Sequence, residues 1–178
     1  GSQHNLICTD KKKINWVESK KNINSWLNQN FYERTREWPY KGLKNRILIE
    51  EYLDGGDGTL DDYKFWCFNG EPKILQIDSD RFIDHKRDFY DVNLKTKFPM
   101  KITYKNSIDY LSKPDNYNKM LDVCRTLSKE FDFARVDLYN IKGKIIFGEI
   151  TFYPGNCNEM FSERYYENML GSYLKLNI

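Results

Sequence analysis

The clearest patterning lies in the last third of the chain. In 133–139 and 144–151 apolar and polar positions alternate, which predicts two strands, and the turn Asn140 to Gly143 between them predicts a hairpin. An earlier hairpin, the first along the chain, is predicted from Tyr63-Lys-Phe-Trp-Cys-Phe68 and Pro72-Lys-Ile-Leu-Gln-Ile77, joined across Asn69-Gly70, a pair that adopts the positive φ angles a two-residue turn needs. Helical spacing of apolar residues at 14, 16, 17, 23, 26 and 27 predicts an amphipathic helix over 14–27. Similar spacing at Met120, Leu121, Val123, Cys124 and Leu127 predicts a helix opening at Pro114-Asp115 and ending near Phe131, and Ser162 to Leu176 a closing helix with Ser162 as N-cap. Residues 5–9 read as a short strand. Arg46-Ile-Leu-Ile-Glu-Glu-Tyr-Leu53 reads as a strand with a continuous apolar centre, running into the glycine-rich loop 54–59. The stretch 78–112 has little pattern and is too long for an ordinary connection, which makes it a candidate lid or binding loop. This order of helices and strands predicts an α+β fold, with a mostly antiparallel sheet covered by helices.

Composition narrows the function without choosing it. At 178 residues the chain can bury a core of its own, and 13 Tyr, 11 Phe and 4 Trp supply large amphipathic surfaces. A net charge of +2 is too balanced for nucleic-acid or membrane-surface binding driven by bulk charge. The sequence has no apolar run long enough for a membrane span and no charged-then-apolar leader, so the expected location is the cytoplasm. The four cysteines form no CxxC pair and read as buried reduced thiols rather than a zinc site. Lysines at 11 to 13, 20 and 21 are either a phosphate-binding stripe or a solvated helix face.

Chemistry concentrates in the second hairpin. Arg135 and Asp137 are two apart and share one strand face, and Glu149 and Thr151 share a face of the partner strand, while Val136, Leu138, Ile150 and Phe152 point the other way. Such a polar face is either a solvated surface with an Arg–Asp pair or a Mg²⁺ site, since that ion takes one or two protein carboxylates and completes its shell with water and phosphate.

Arg135-Val-Asp137 followed by Gly148-Glu-Ile-Thr-Phe-Tyr-Pro-Gly155 resembles the metal-binding end of ATP-grasp enzymes, and most closely the TupA-like ATP-grasp family of bacterial polysaccharide gene clusters. The likeness extends to Arg46 to Leu53, Asp62-Tyr-Lys-Phe-Trp-Cys-Phe-Asn-Gly70 and Leu170-Gly-Ser-Tyr-Leu174, in the same order along the chain. It implies an ATP-grasp-like fold that uses ATP and Mg²⁺ to activate a carboxylate as an acyl phosphate for attack by an amine. Asp137 and Glu149 then match the metal carboxylates. Thr151 stands where the family usually has Asn, and a hydroxyl is a poorer ligand. Arg135 and the backbone of Gly155 match oxyanion-stabilising groups.

The resemblance also places Glu50, Glu51 and Leu53 at the adenine edge, although 46–53 equally suits a plain central strand. Asp62 falls at the ribose hydroxyls. Lys64 falls at phosphate or a substrate carboxylate, or is an exposed strand lysine. Arg81 and Lys95, around Phe89-Tyr-Asp91, echo a mobile loop that closes over the phosphates. By this likeness 1–45 is a remnant of the small nucleotide-binding lobe with one helix, and 46–178 is the C-terminal lobe. The phosphate-binding lysine strand has no counterpart, and Gln3 replaces an expected Gly. The implied substrates are an acidic sugar or polysaccharide unit and an amino acid, as in teichuronopeptide synthesis. The alternatives are a sugar-transfer role alongside glycosyltransferases and an inactive nucleotide-binding remnant.

Overall fold

The computed structural model describes residues 4–53, 60–80 and 83–176. Internal contacts group the chain into two units, Gly1–Asp54 and Gly55–Ile178.

In the first unit, polar side chains set the helix boundaries. Asn15 caps α1 (Trp16–Leu27) by accepting from the Glu18 amide at 3.2 Å, and Asn30 caps α2 (Phe31–Thr35) through the Glu33 amide at 3.2 Å. Asn45 donates to the carbonyls of Leu27 and Gln29 at 2.8 and 2.6 Å, which satisfies the C-terminal end of α1. The two strands expected here do not form. Residues 5–9 and 46–53 have extended or irregular backbone without ladder pairing, and Leu48 and Ile49 are 80% and 90% exposed. An apolar run becomes a strand only where a neighbour takes its backbone hydrogen bonds. The glycine loop 54–59 and Gln3 lie outside the described residues.

The second unit is built on a six-stranded sheet in the order β4-β3-β2-β1-β5-β6, every neighbouring pair antiparallel. The strands are β1 (Asp62–Phe68), β2 (Glu71–Ser79), β3 (Lys86–Asp91), β4 (Lys97–Phe98), β5 (Phe133–Ile141) and β6 (Lys144–Thr151). Both predicted hairpins are present. Asn69 and Gly70 take φ of 50° and 80°, and Lys142 and Gly143 take 50° and 81°, the paired positive angles whose twist matches that of the strands. Part of the segment read as irregular is in fact β3 and β4. Lys86-Arg-Asp-Phe-Tyr-Asp91 pairs with β2 through Ile74 to Ser79, and its charged residues mask an ordinary strand alternation.

The two sheet faces are covered differently. Helix α3 (Tyr117–Ser128) packs on one face, where Tyr63, Phe65, Leu75, Tyr90, Tyr117, Met120, Val136 and Leu138 form a core. On the other face a smaller cluster, with Trp66, Phe68, Ile74, Phe89, Met100 and Ile102, meets Tyr166 and Leu170 of α4 (Arg164–Tyr173). Ser162 does not cap α4; its hydroxyl accepts from the Lys101 amide at 3.1 Å, and the helix starts after Glu163. Cys67 and Cys124 sit in the first core, whereas Cys157 is exposed, contrary to the expectation that all four thiols are buried.

Each hairpin holds one extra residue. Trp66 pairs with Ile74 and Cys67 with Pro72, which leaves Lys73 over on β2. Asp137 pairs with Glu149 and Leu138 with Phe147, which leaves Gly148 over on β6. Because strand side chains alternate, a single extra residue transfers everything beyond it to the opposite face. Counted from the two-residue turn without the bulge, Glu149 would lie opposite Val136 and face α3. The bulge at Gly148 puts it beside Asp137 instead.

Candidate functional site

The polar residues of five strands meet on the face that α4 partly covers. The register sets Lys64 of β1 between Gln76 of β2 and Asp137 of β5, with Glu149 of β6 beyond Asp137. The row on one side contains Asp62, Asp78 and Arg87, and the row on the other contains Trp66, Arg135 and Thr151. Asp62, Lys64, Gln76, Asp78 and Asp137 are all buried. Charged groups are tolerated at such depth only when paired.

The pairing is dense. Lys64 Nζ lies 2.5 Å from Asp62 Oδ2 and 2.6 Å from Asp137 Oδ2. Arg135 grips Asp137 with Nε on Oδ1 at 2.7 Å and its terminal nitrogen on Oδ2 at 2.8 Å, and the same nitrogen reaches Glu149 Oε1 and Thr151 Oγ1, each at 3.1 Å. The Thr151 hydroxyl donates to Glu149 Oε1 at 2.7 Å. Three carboxylates thus oppose two cations. Burial pushes the Asp137 carboxyl up, with Arg135 and Lys64 pulling against it. Desolvation acts on Glu149 in the same sense, but there the Thr151 hydrogen bond and the Arg135 charge prevail and hold its carboxyl below the usual value. Desolvation works against the charged Arg135 as well; its carboxylate partners outweigh this and raise its pKa.

A second cluster continues the same face toward β3. Arg87 donates to both oxygens of Asp78, at 2.6 and 3.0 Å, and its guanidinium lies 4.9 Å from the centre of the Tyr104 ring, on which His85 also stacks at 3.7 Å. Gln76 ties this cluster to the apolar part of the face, donating to Asp78 at 3.2 Å and accepting from the Trp66 indole at 3.1 Å. Sequence reasoning missed Arg87 and Asp78. Part of the signal was there, since Asp62 and Lys64 share one face of β1 and Gln76 and Asp78 one face of β2, but only the bulge at Lys73 brings the two pairs to the same side.

Of the residues singled out in the sequence, Asp62, Lys64, Arg135, Asp137, Glu149 and Thr151 come together. Lys64 is a buried ion-pair centre, not an exposed strand lysine. Gly155 lies in a short 3-10 turn, Pro154–Cys157, against Glu159. Lys95 is not brought to the cluster: it is exposed in the turn between β3 and β4, at the opposite end of β3 from Arg87. Phe89-Tyr-Asp91 belongs to the sheet and is no loop. Glu50, Glu51 and Leu53 belong to the first unit, where both glutamates are exposed. Arg81 lies outside the described residues. A cleft of about 430 Å³ lined by Tyr63, Lys113, Asn116, Asn140 and Lys142 opens at the end of the sheet on the α3 side, away from the carboxylates.

The donors fit a Mg²⁺ ion. Glu149, with its side chain 57% exposed, offers a carboxylate beside the Thr151 hydroxyl, and Asp137 is the second carboxylate of the pair. No group of three or more His, Cys, Asp or Glu side chains that could hold a metal occurs among the described residues, so the ion would complete its shell with water and phosphate oxygens, as Mg²⁺ ordinarily does. Among the described residues no helix is long and apolar enough to cross a membrane. No curated protein and no solved structure matches the chain. A family model does match, that of the TupA-like ATP-grasp proteins, over residues 1–175. The match spans nearly the whole chain, both hairpins and the carboxylates between them included, and the chain belongs to the TupA-like ATP-grasp family.

Proposed function

We propose that the protein is an ATP- and Mg²⁺-dependent ligase that activates a carboxylate as an acyl phosphate for amide formation in surface polysaccharide biosynthesis. Membership of an ATP-grasp family supports the ATP-dependent ligase chemistry, and the acidic-sugar carboxylate and amino-acid amine are our extension of it. The observation that carries the reading is the gathering of Arg135, Asp137, Glu149, Thr151 and Lys64 on one face of the sheet. In this reading 1–45 belongs with the small nucleotide-binding lobe and 46–178 with the lobe that carries the hairpin. Glu50, Glu51 and Leu53 read the adenine edge and Asp62 the ribose.

Mg²⁺ bound at Glu149, Thr151 and Asp137 would neutralise the triphosphate and polarise the transferring phosphoryl group. Arg135 is fixed by Asp137 on two sides, so its donors do not reorganise when charge develops on a neighbouring oxygen. Lys64 is placed to exchange its Asp137 contact for an incoming phosphate or substrate carboxylate while Asp62 holds it. Gly155 contributes backbone at the reacting carbon.

The test is ADP release by the purified protein with Mg·ATP, acidic sugars such as glucuronate, and an amino-acid panel. Release should require both a carboxylate and an amine, and a panel without any acid-dependent release would refute the ligase reading. One feature favours the competing reading of an inactive remnant: Arg135 and Lys64 already take both oxygens of Asp137. A remnant would show neither ADP release nor a response to Mg·ATP.

A further inference from the structure

Gly155, Asn156 and Cys157 take φ of 55°, 55° and 57°, three left-handed residues in succession. Two of them carry side chains, and each such residue costs on the order of 1 kcal/mol or more, strain that persists where surrounding structure enforces it and that gathers at functional sites. The backbone here makes room for Glu159. A Cβ at Gly155 would overlap the Glu159 side chain, lying 2.5 Å from Oε2, so the absence of a side chain at 155 lets this carboxylate rest against the glycine backbone.

Its orientation is fixed from the other side. Glu159 Oε1 accepts from the Thr103 hydroxyl at 3.0 Å and lies 3.7 Å from an Arg87 terminal nitrogen. Thr103 is a β-branched residue at φ of 62°, a second outlier that serves the same contact. Arg87 is the charged group facing Glu159; it is held in turn by Asp78, with His85 and Tyr104 beside it. The Glu159 side chain remains 34% exposed. This carboxylate has one oxygen tied and the other against Gly155, and it is open to solutes.

We propose that Glu159 is the catalytic residue that receives the amine nucleophile and takes its proton. This rests on the ligase reading above, in which ATP supplies the acyl phosphate. The amine arrives as an ammonium ion, which the carboxylate attracts and positions. The ammonium first gives one proton to Glu159, which frees the nitrogen lone pair, and that pair then forms the C–N bond to the acyl carbon. The C–O bond to phosphate breaks, inorganic phosphate leaves with the electron pair, and the amide remains with its second surplus proton released to water.

Two nucleophiles separate this step from activation. Hydroxylamine is largely uncharged near neutral pH and traps an acyl phosphate as hydroxamate without a base, whereas ammonium must be deprotonated. With Mg·ATP and glucuronate or galacturonate, Glu159→Gln should keep hydroxamate formation within about twofold of the native protein. Amide formation from ammonium should fall about 100-fold, as expected for loss of a general base. Glu159→Asp should recover part of that loss, and the deficit should shrink as pH rises toward the pKa of ammonium. An equal fall with both nucleophiles, no selective fall with ammonium, or a native protein that makes hydroxamate but no amide from ammonium would each overturn the proposal. A native protein that forms no hydroxamate refutes the ligase reading itself, and this proposal with it.

Discussion

The two hairpins of the second unit use the same parts to opposite ends. Each closes on a two-residue turn with positive φ at both positions, and each has one bulged residue. In the first, every residue of β1 is buried, and the bulge at Lys73 sets the register that brings Gln76 opposite Lys64. In the second, β5 is shared between core and site, β6 is the sheet edge, and the bulge at Gly148 turns Glu149 and Thr151 to the side of Arg135 and Asp137. One hairpin anchors, and the other presents. The identity of the residues does not decide this; which face the register gives them does.

Gly148→Val should break the contrast most severely. A Cβ at 148 would lie 3.1 Å from the Asp137 carbonyl oxygen, and with residue 148 drawn into the ladder opposite Asp137, Glu149 would face α3 opposite Val136, an uncompensated carboxylate against apolar core that costs about 3–5 kcal/mol. Urea unfolding should register that loss, and the response to nucleotide should vanish with it. Retained stability and a retained nucleotide response would show that the extra residue does not set the face.

The next effect sharpens the polar rim of the first hairpin. Asp78 is buried, which by itself would raise its carboxyl, but the Arg87 hydrogen bonds and charge, with help from Lys64, hold it below its ordinary value. The stabilisation is therefore present above the unfolded pKa of about 3.9 and is lost as pH falls through the lower folded value. Asp78→Asn should cost about 2 kcal/mol at neutral pH, a typical contribution for charge-assisted hydrogen bonds. It should also flatten the decline in stability below about pH 4. An acid limb identical to that of the native protein would contradict the assignment.

The smallest effect compares the turns themselves. Asn69 suits its φ of 50°, whereas Lys142 holds the same angle without a local hydrogen-bonding side chain to favour it. Lys142→Asn should therefore stabilise by about 0.5 kcal/mol, readable as a small increase in the urea midpoint, whereas Asn69→Lys should cost more than this, because it also removes the Asn69 side-chain hydrogen bonds to the Lys175 backbone at 2.7 and 3.2 Å.

These hairpins were also the most legible part of the sequence, because alternation and turn chemistry are local signals. Within each strand the shared faces of Arg135 with Asp137 and of Glu149 with Thr151 follow from period two alone. Their meeting across the hairpin does not, since it depends on the bulge, for which an isolated glycine within a strand was the available hint. Strand β3 escaped notice because four of its six residues are charged, and Arg87 is half-buried only through a partner, Asp78, on another strand. The segment 46–53 misled for the converse reason: its apolar run is a strand in pattern, but no ladder forms along it. Glu159 carries no sequence signal, because its contacts with Gly155, Thr103 and Arg87 arise only on folding.

The central claim is that the carboxylate face of the second hairpin holds Mg·ATP, and thermal unfolding tests it most directly. Glu149 is the residue to change, because its exposed side chain can become Gln without leaving a buried cation unpaired. With Mg·ATP at a hundred times its Kd, the native protein should gain about 2.7 kcal/mol and roughly 5–10 °C in Tm. Glu149→Gln should melt within about 2 °C of the native protein without nucleotide and show no comparable gain when nucleotide is added. An unchanged Mg·ATP-dependent rise in Glu149→Gln, or no rise in the native protein, would contradict the account.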